Sequence, residues 1–202
     1  RGLGDVYKRQ GMIYPIPFII IGSVFLILGQ LPFQAGQDFM NKIKLGPLFL
    51  QINNASFGIM ALLAVFGIAY AWVRDAGYEG VPAGLTGIIV HILLQPDTIH
   101  QVTSVTDPTK VSTAYQVGGV IDRAWLGGKG MVLSIIVGLL VGWIYTGFMR
   151  RNITIKMPEQ VPENVAASFT SLVPAGAIIA LAGVVHGITT IGSVSYTHLT
   201  LP

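Results

Sequence analysis

Cysteine is missing from this chain, and charge is scarce in it. The 202 residues hold no Cys, and Asp, Glu, Lys and Arg together make up 10%. Without thiols there can be no disulfide, no thiolate nucleophile and no Cys-based metal site. An average soluble domain carries roughly 25% charged residues, so this chain cannot cover a water-facing surface. Its formal net charge of +3 is spread along the sequence, which excludes the concentrated basic footprint of a nucleic-acid-binding protein. A phosphate loop ending in Gly-Lys-Ser/Thr is missing too, because LGGKG at 126–130 lacks the spacing.

What is present is apolar: 52% of residues are hydrophobic, with a mean hydropathy of +0.66. Runs of about 17 to 20 such residues recur, enough at 1.5 Å per residue to cross roughly 30 Å of hydrocarbon. The composition therefore predicts an all-α integral membrane protein with about five transmembrane helices. The first span is expected over 12–28, with Pro15 and Pro17 at its start, where missing N–H groups cost least. The second, 55–73, is stopped by Arg74-Asp75, and the fourth, 130–149, by Arg150-Arg151. The fifth follows Pro174 and runs to 192. The third, 82–95, is short and holds His91; it fits a tilted span, a buried helix or a re-entrant piece, and a span keeps the parity of the chain. No cleavable signal is expected, since no small-residue cleavage site follows the first apolar run.

Two connections carry their own patterns. TIHQVTSVT and KVSTAYQVGGVI flank Asp107-Pro108, β-branched alternation around a turn signal. A small extracytoplasmic β-hairpin is the expected outcome, because an open strand edge inside lipid would leave backbone groups unsatisfied. In KMPEQVPENVAASFTSLVP, residues 156–174, Pro162 can open a helix with Glu163 in its first turn. Val165, Phe169 and Leu172 then form one apolar stripe, with Asn164, Ser168 and Ser171 opposite. This reads as a short interfacial amphipathic helix ended by Pro174.

Charge sets the expected orientation. Arg150, Arg151 and Lys156 form the densest basic cluster, and the positive-inside rule places it, Arg74 and the N-terminus in the cytoplasm. Lys42, Lys44, Lys110, Arg123 and Lys129 fall on the other side. Tyr70, Trp72, Trp143 and Tyr145 suit interfacial anchors.

Few single residues carry chemistry. His91 and His186 are intramembrane polar residues, where ionisable groups are expensive and often functional. Neither has an acidic residue at helical spacing, so no metal site or proton relay is expected, and each reads as a neutral, hydrogen-bonded packing histidine. Gly138-x-x-x-Gly142 and Gly80-x-x-x-Gly84 permit close helix approach, within the chain or between copies. Asn53-Asn54 reads as the cap of the second span, and Asp122-Arg123 as a solvated pair or a substrate contact at a channel mouth. No Ser or Thr beside a His base suggests nucleophilic catalysis, so no catalytic residue and no cofactor are expected.

The segment MPEQVPENVAASFTSLVP resembles the pattern MPxxVPxxVaxSFxxLiP of EIIC permeases of the lactose/cellobiose (diacetylchitobiose) type, the membrane component of the sugar phosphotransferase system. The matching residues are Met157, Pro158, Val161, Pro162, Val165, Ser168, Phe169 and Pro174. GMIYPIPFIIIGSVFLILGQLP is similar to the family's first span, and NNASFGIMALLAVFGIAYAWV and LGGKGMVLSIIVGLLVGWIY match in order and spacing. The resemblance implies a homodimeric bacterial plasma-membrane permease, roughly twice this length, that carries a β-linked disaccharide such as cellobiose, lactose or diacetylchitobiose. EIIB, itself phosphorylated by EIIA, would phosphorylate the sugar; EIIC is not the phosphoryl carrier. Residues 11–192 would then be the N-terminal, dimerising half, with most sugar-binding residues in the other half. Val185-His186-Gly187 does not fit the family's Gly-x-His-Gly sugar motif, coming too soon after Leu-Val-Pro. RGLGDVYKRQ (1–10) and SVSYTHLTLP (193–202) are polar, lack helical periodicity and resemble non-native adapter read-through, so the parent protein is expected to continue past both. The alternatives are an unrelated secondary transporter or channel, a standalone dimerising scaffold and, least in keeping with the residues, an intramembrane enzyme.

Overall fold

The computed structural model describes residues 13–31, 34–43, 45–96, 98–102, 114–118, 121–155, 158 and 162–199. Helix α1 (Ile16–Gly29) starts on Pro15 and Pro17, and Ile19 N–H donates to the Pro15 carbonyl at 3.0 Å. Proline serves here because the first-turn N–H groups have no intrahelical acceptor in any case. Helix α2 (Gln34–Lys42) follows, then α3 (Leu45–Ser56), which passes through a 3-10 turn at Phe57–Ile59 into α4 (Met60–Asp75).

The helix is thus longer than the expected second span: an apolar stretch of 31 residues runs from Leu45 to Asp75. Asn53 is not a cap. It is buried inside α3, and its Nδ2 donates to the Gly22 carbonyl of α1 at 2.9 Å. A buried amide needs a partner, and α1 provides one because the helices touch closely. A Cβ on Gly22 would collide with Ser56 Oγ, and the Phe25 and Phe49 rings meet at 5.6 Å beside it.

Helix α4 ends on Gly77, whose φ of +86° is left-handed. Gly77 N–H donates to Arg74 O (2.9 Å) and Tyr78 N–H to Val73 O (3.1 Å), the two bonds of a Schellman cap. Helix α5 (Val81–Leu93) returns along α4. Strands β1 (Thr98–Val102) and β2 (Ala114–Gly118) then pair antiparallel, Thr98 opposite Gly118 and Val102 opposite Ala114. The Asp107-Pro108 turn lies outside the described residues. A single helical turn α6 (Arg123–Leu126) and a 3-10 turn at Gly128–Gly130 lead into α7 (Met131–Arg150).

The last helix, α8, runs unbroken from Glu163 to Leu199 with Pro174 inside it. The expected division into an interfacial helix and a separate span does not occur. Pro174 has no N–H to return to the Thr170 carbonyl, but breaking the helix there would orphan several backbone groups rather than one. The helix also passes through 193–199, where the sequence has no helical periodicity, because extending an existing helix adds one hydrogen bond per residue without a new nucleus.

Helix α4 is the centre of the bundle, with α5 and α7 against it and α8 against α5 and α7. Val65, Ala69 and Val73 of α4 meet Val90 of α5, Val137, Val141 and Tyr145 of α7, and Ile178 of α8. The Gly138/Gly142 pair sets the α4–α7 distance. A Cβ on Gly142 would lie 2.7 Å from Trp72 Cβ, and one on Gly138 would lie 2.9 Å from Ile68 Cβ. Gly80 and Gly84 play the same part between α5 and α4, against Tyr70 and Phe66. The outward faces of these helices stay apolar and exposed, as at Leu85, Ile136, Leu140, Leu181 and Ile188. Among the described residues, Leu45–Asp75, Gly128–Arg150 and Ser168–Thr189 are long and apolar enough to cross a membrane, and Ile16–Gly29 and Val81–Leu93 are shorter apolar helices.

Candidate functional site

His91 lies at the C-terminal end of α5 and is fully buried. Its Nε2 is 3.2 Å from the Trp125 carbonyl. A carbonyl only accepts, so the ring must carry its hydrogen on Nε2. The opposite nitrogen, Nδ1, is buried without a partner among the described residues. Just past the end of α5, Gln95 is 4% exposed, and among the described residues neither its amide nitrogen nor its oxygen has a partner. The loop against His91 is tightly formed. Asp122 caps α6 by accepting from Ala124 N–H at 2.9 Å, and the Lys129 ammonium sits 4.6 Å from the Trp125 ring centroid. Gly130 must lack a Cβ, which would run into the Trp125 carbonyl. His91 therefore fastens the 122–130 connection to α5. Asp122 is a helix cap rather than half of a solvated pair.

His186 stands half-buried on α8, and its carbonyl accepts from Thr189 Oγ1 at 2.8 Å. No group of three or more His, Asp or Glu among the described residues could hold a metal ion. Two concave features stand out among the described residues. An apolar groove of about 140 Å³ between α5, α7 and α8 is walled by Val90, Val137, Val141, Ile178, Ala182 and side chains of the same kind. A cavity of about 380 Å³ opens at the end of α7, among Trp143, Ile144, Gly147, Phe148, Arg150, Arg151 and Ile153. Its wall is shaped by a second Schellman cap. Asn152 has φ +53°, with Asn152 N–H donating to Met149 O (3.1 Å) and Ile153 N–H to Phe148 O (3.1 Å). The cap folds Ile153 back toward Phe148.

The proline-spaced motif is spread out rather than gathered at a site. Met157 and Val161 lie outside the described residues. Pro158 and Pro162 are exposed, and the Pro162 carbonyl accepts the first bond of α8, from Ala166 N–H at 3.0 Å. Ser168 and Phe169 are exposed and Pro174 is buried; Val165 lies in the first turn of the helix. Between them Thr170 Oγ1 donates to the Ala166 carbonyl (2.8 Å) and lies 3.5 Å from the Ile155 carbonyl, tying α8 to the segment that leaves α7. Sequence reasoning missed Gln95 and Asn152. The first stands four residues after His91, just past the end of α5, and the second follows an Arg-Arg helix end, where Asn favours the left-handed cap.

A family model, phosphotransferase system, EIIC, matches residues 9–199. The chain belongs to the EIIC family of the phosphotransferase system. It is 35% identical over 176 residues to the lichenan permease IIC component of Bacillus subtilis (strain 168), covering 86% of this chain and 38% of that protein. It is 34% identical over 175 residues to the cellobiose-specific EIIC component of Geobacillus stearothermophilus, covering 85% and 38%. Among solved structures, it is similar to the transporter ChbC, the IIC component of the N,N'-diacetylchitobiose-specific phosphotransferase system. That likeness has a TM-score of 0.79 and 30% identity, over 89% of this chain and 41% of the other. The chain thus spans about two fifths of the length of the relatives it matches. An EIIC chain of this kind is a mostly helical integral membrane protein, which accounts for the exposed apolar faces.

Proposed function

We propose that this chain is the N-terminal part of the membrane subunit of a phosphoenolpyruvate-dependent phosphotransferase system, which carries a β-linked disaccharide across a bacterial plasma membrane for phosphorylation by EIIB. The match over 9–199, joined to the backbone likeness to the diacetylchitobiose component, carries this reading. The relatives named for lichenan, cellobiose and diacetylchitobiose support a β-linked sugar, with cellobiose, lactose and diacetylchitobiose as candidates. EIIA, which recharges EIIB, and a second copy of the chain are the further partners.

Five crossings follow from this reading: α1, α3–α4, α5, α7 and α8. With Arg74, Arg150 and Arg151 in the cytoplasm, the N-terminus is cytoplasmic and the β1–β2 ladder extracytoplasmic. The turns of α8 before Ser168 then lie at the cytoplasmic interface. Residues 1–10 and 193–202 are read as non-native, and 11–192 as the dimerising half. The role of this half is structural. The groove between α5, α7 and α8 offers a sugar no hydrogen-bonding side chain, in keeping with a sugar site formed mainly by residues beyond this chain. His91, Gly138, Gly142 and the proline motif act by holding helices and connections in register. No residue here carries a phosphoryl group, and no cofactor is needed.

The test is to sequence the source DNA past this locus, express the whole reading frame in a bacterium deleted for its own β-glucoside EIIC, and measure phosphorylated cellobiose and diacetylchitobiose. Accumulation that requires EIIB is the expected result. Uptake that persists without EIIB would make the protein a secondary transporter, and stop codons bounding the chain would leave only a dimerising scaffold.

A further inference from the structure

The cavity at the end of α7 has a composition unlike the rest of the molecule. Its floor and sides are apolar, Trp143, Phe148 and Ile153, while its rim carries two guanidinium groups, Arg150 and Arg151. Both arginines are exposed, and neither has an ion pair or hydrogen-bond partner among the described residues. The helix-end carbonyls of Gly147, Phe148 and Met149 are already used by the cap. Among the described residues, the guanidinium donors are thus left without an acceptor. Among the described residues, no acidic side chain is in the cavity wall.

Below the cavity, the same face of α7 continues as an uncovered apolar stripe. Trp143 is 64% exposed, and Leu140, Ile136 and Val132 follow it at helical spacing, all exposed. From Trp143 to Val132 the helix descends about 16 Å at 1.5 Å per residue, roughly one leaflet of a hydrocarbon core about 30 Å thick. A ligand matching this surface has an anionic head at the arginines and a long apolar tail along the stripe. A folded protein domain has no such tail, and a free phosphate ion would use only the rim.

We propose that the cavity formed by Trp143, Phe148, Arg150, Arg151 and Ile153 is a binding site for an anionic phospholipid, with its phosphate between the two arginines and one acyl chain along Trp143, Leu140, Ile136 and Val132. Guanidinium groups take phosphate oxygens bidentately, and basic residues at the membrane surface favour anionic over zwitterionic lipid by about fivefold each, or roughly 30-fold for the pair. The site depends on the chain lying in a bilayer and on nothing about its sugar.

The experiment is native mass spectrometry of the full chain, released from nanodiscs containing equal phosphatidylglycerol and phosphatidylcholine. Wild type is expected to retain phosphatidylglycerol preferentially, and Arg150→Gln/Arg151→Gln to lose that preference by roughly 30-fold. Trp143→Ala is expected to weaken retention of both lipids while leaving the preference intact. Circular dichroism and gel filtration establish that each variant is folded. Should the double variant be misfolded, Arg150→Lys/Arg151→Lys replaces it. Lysine keeps the charge but loses the bidentate fork, so this variant is expected to prefer phosphatidylglycerol less strongly than wild type, and an undiminished preference overturns the proposal. Undiminished retention by a folded glutamine variant also overturns it. Displacement of the lipid by millimolar inorganic phosphate would make this a free-anion site instead. Loss of phosphorylated EIIB binding in the glutamine variant, with lipid retention unchanged, would make it a protein-docking site.

Discussion

Gly142→Ala adds one carbon to a tight helix contact at the centre of the molecule. The new Cβ would lie 2.7 Å from Trp72 Cβ and 2.8 Å from Trp72 Cγ, whereas carbon atoms rest about 3.5–4.0 Å apart. Trp72 Cβ is fixed to its backbone, so no rotamer change relieves the overlap and α7 must move off α4 by about an ångström. Overpacking of this kind costs about 1–3 kcal/mol, offset by about 1 kcal/mol from the better helix propensity of Ala over Gly. A net loss of up to about 2 kcal/mol is expected, which at roughly 2–4 °C per kcal/mol lowers the melting temperature by up to roughly 8 °C, and the gap to a glycine-to-alanine change without the overlap should be about 1–3 kcal/mol. Gly147→Ala is the internal reference, because a Cβ there meets nothing within 4 Å. It should leave the melting temperature unchanged or slightly raised. Trp72→Ala should rescue Gly142→Ala only in part, since the Cβ at 2.7 Å remains. Thermal unfolding in detergent, followed by fluorescence-detected gel filtration, reads all of these variants. If Gly142→Ala and Gly147→Ala melt together, the close α4–α7 approach is wrong.

Two further substitutions probe polar contacts. Asn53→Ala removes the donor to Gly22 O and should cost about 1 kcal/mol; Asn53→Asp should cost more, as a carboxylate cannot donate, and equal melting of the Asn53→Asp variant and wild type would refute the bond. His91→Leu leaves the Trp125 carbonyl without its donor and should speed hydrogen exchange at the 122–130 amides, while His91→Gln, which can still donate, should speed it less; unchanged exchange in the leucine variant would refute the fastening role.

The parts legible from sequence are those governed by local rules. Pro15 and Pro17 mark the start of α1, and Arg74 and Arg150 lie in the last turns of α4 and α7. The apolar runs locate most of the helices because length and hydropathy alone fix them in a bilayer. What sequence reasoning misses depends on tertiary contacts. QINNAS reads as a cap because Asn commonly sits there, yet Asn53 is inside α3 because Gly22 offers a buried acceptor on another helix. Pro174 reads as a boundary because proline ends isolated helices, yet α8 continues with the proline ring buried among its neighbours. At the candidate site, His91 is visible as a polar residue in an apolar run, but its partner is a backbone carbonyl, 34 residues away, which no side-chain pattern announces.

The 3-10 turn at Phe57–Ile59 interrupts the long helix near its middle, and such interruptions are usual places for bending. Helix α1 lies across this one. On one side it is fastened to α3 by Asn53 and by Phe25 against Phe49; on the other, Tyr14, just before α1, meets Tyr70 edge-on at 5.5 Å, and Tyr70 OH accepts from Arg74 at 3.3 Å. It works as a splint. The joint between α3 and α4 can flex only as far as the Tyr14–Tyr70 contact slides, so the stiffness of the longest apolar stretch is set by two aromatic rings some 56 positions apart in sequence and not by the helix that bends.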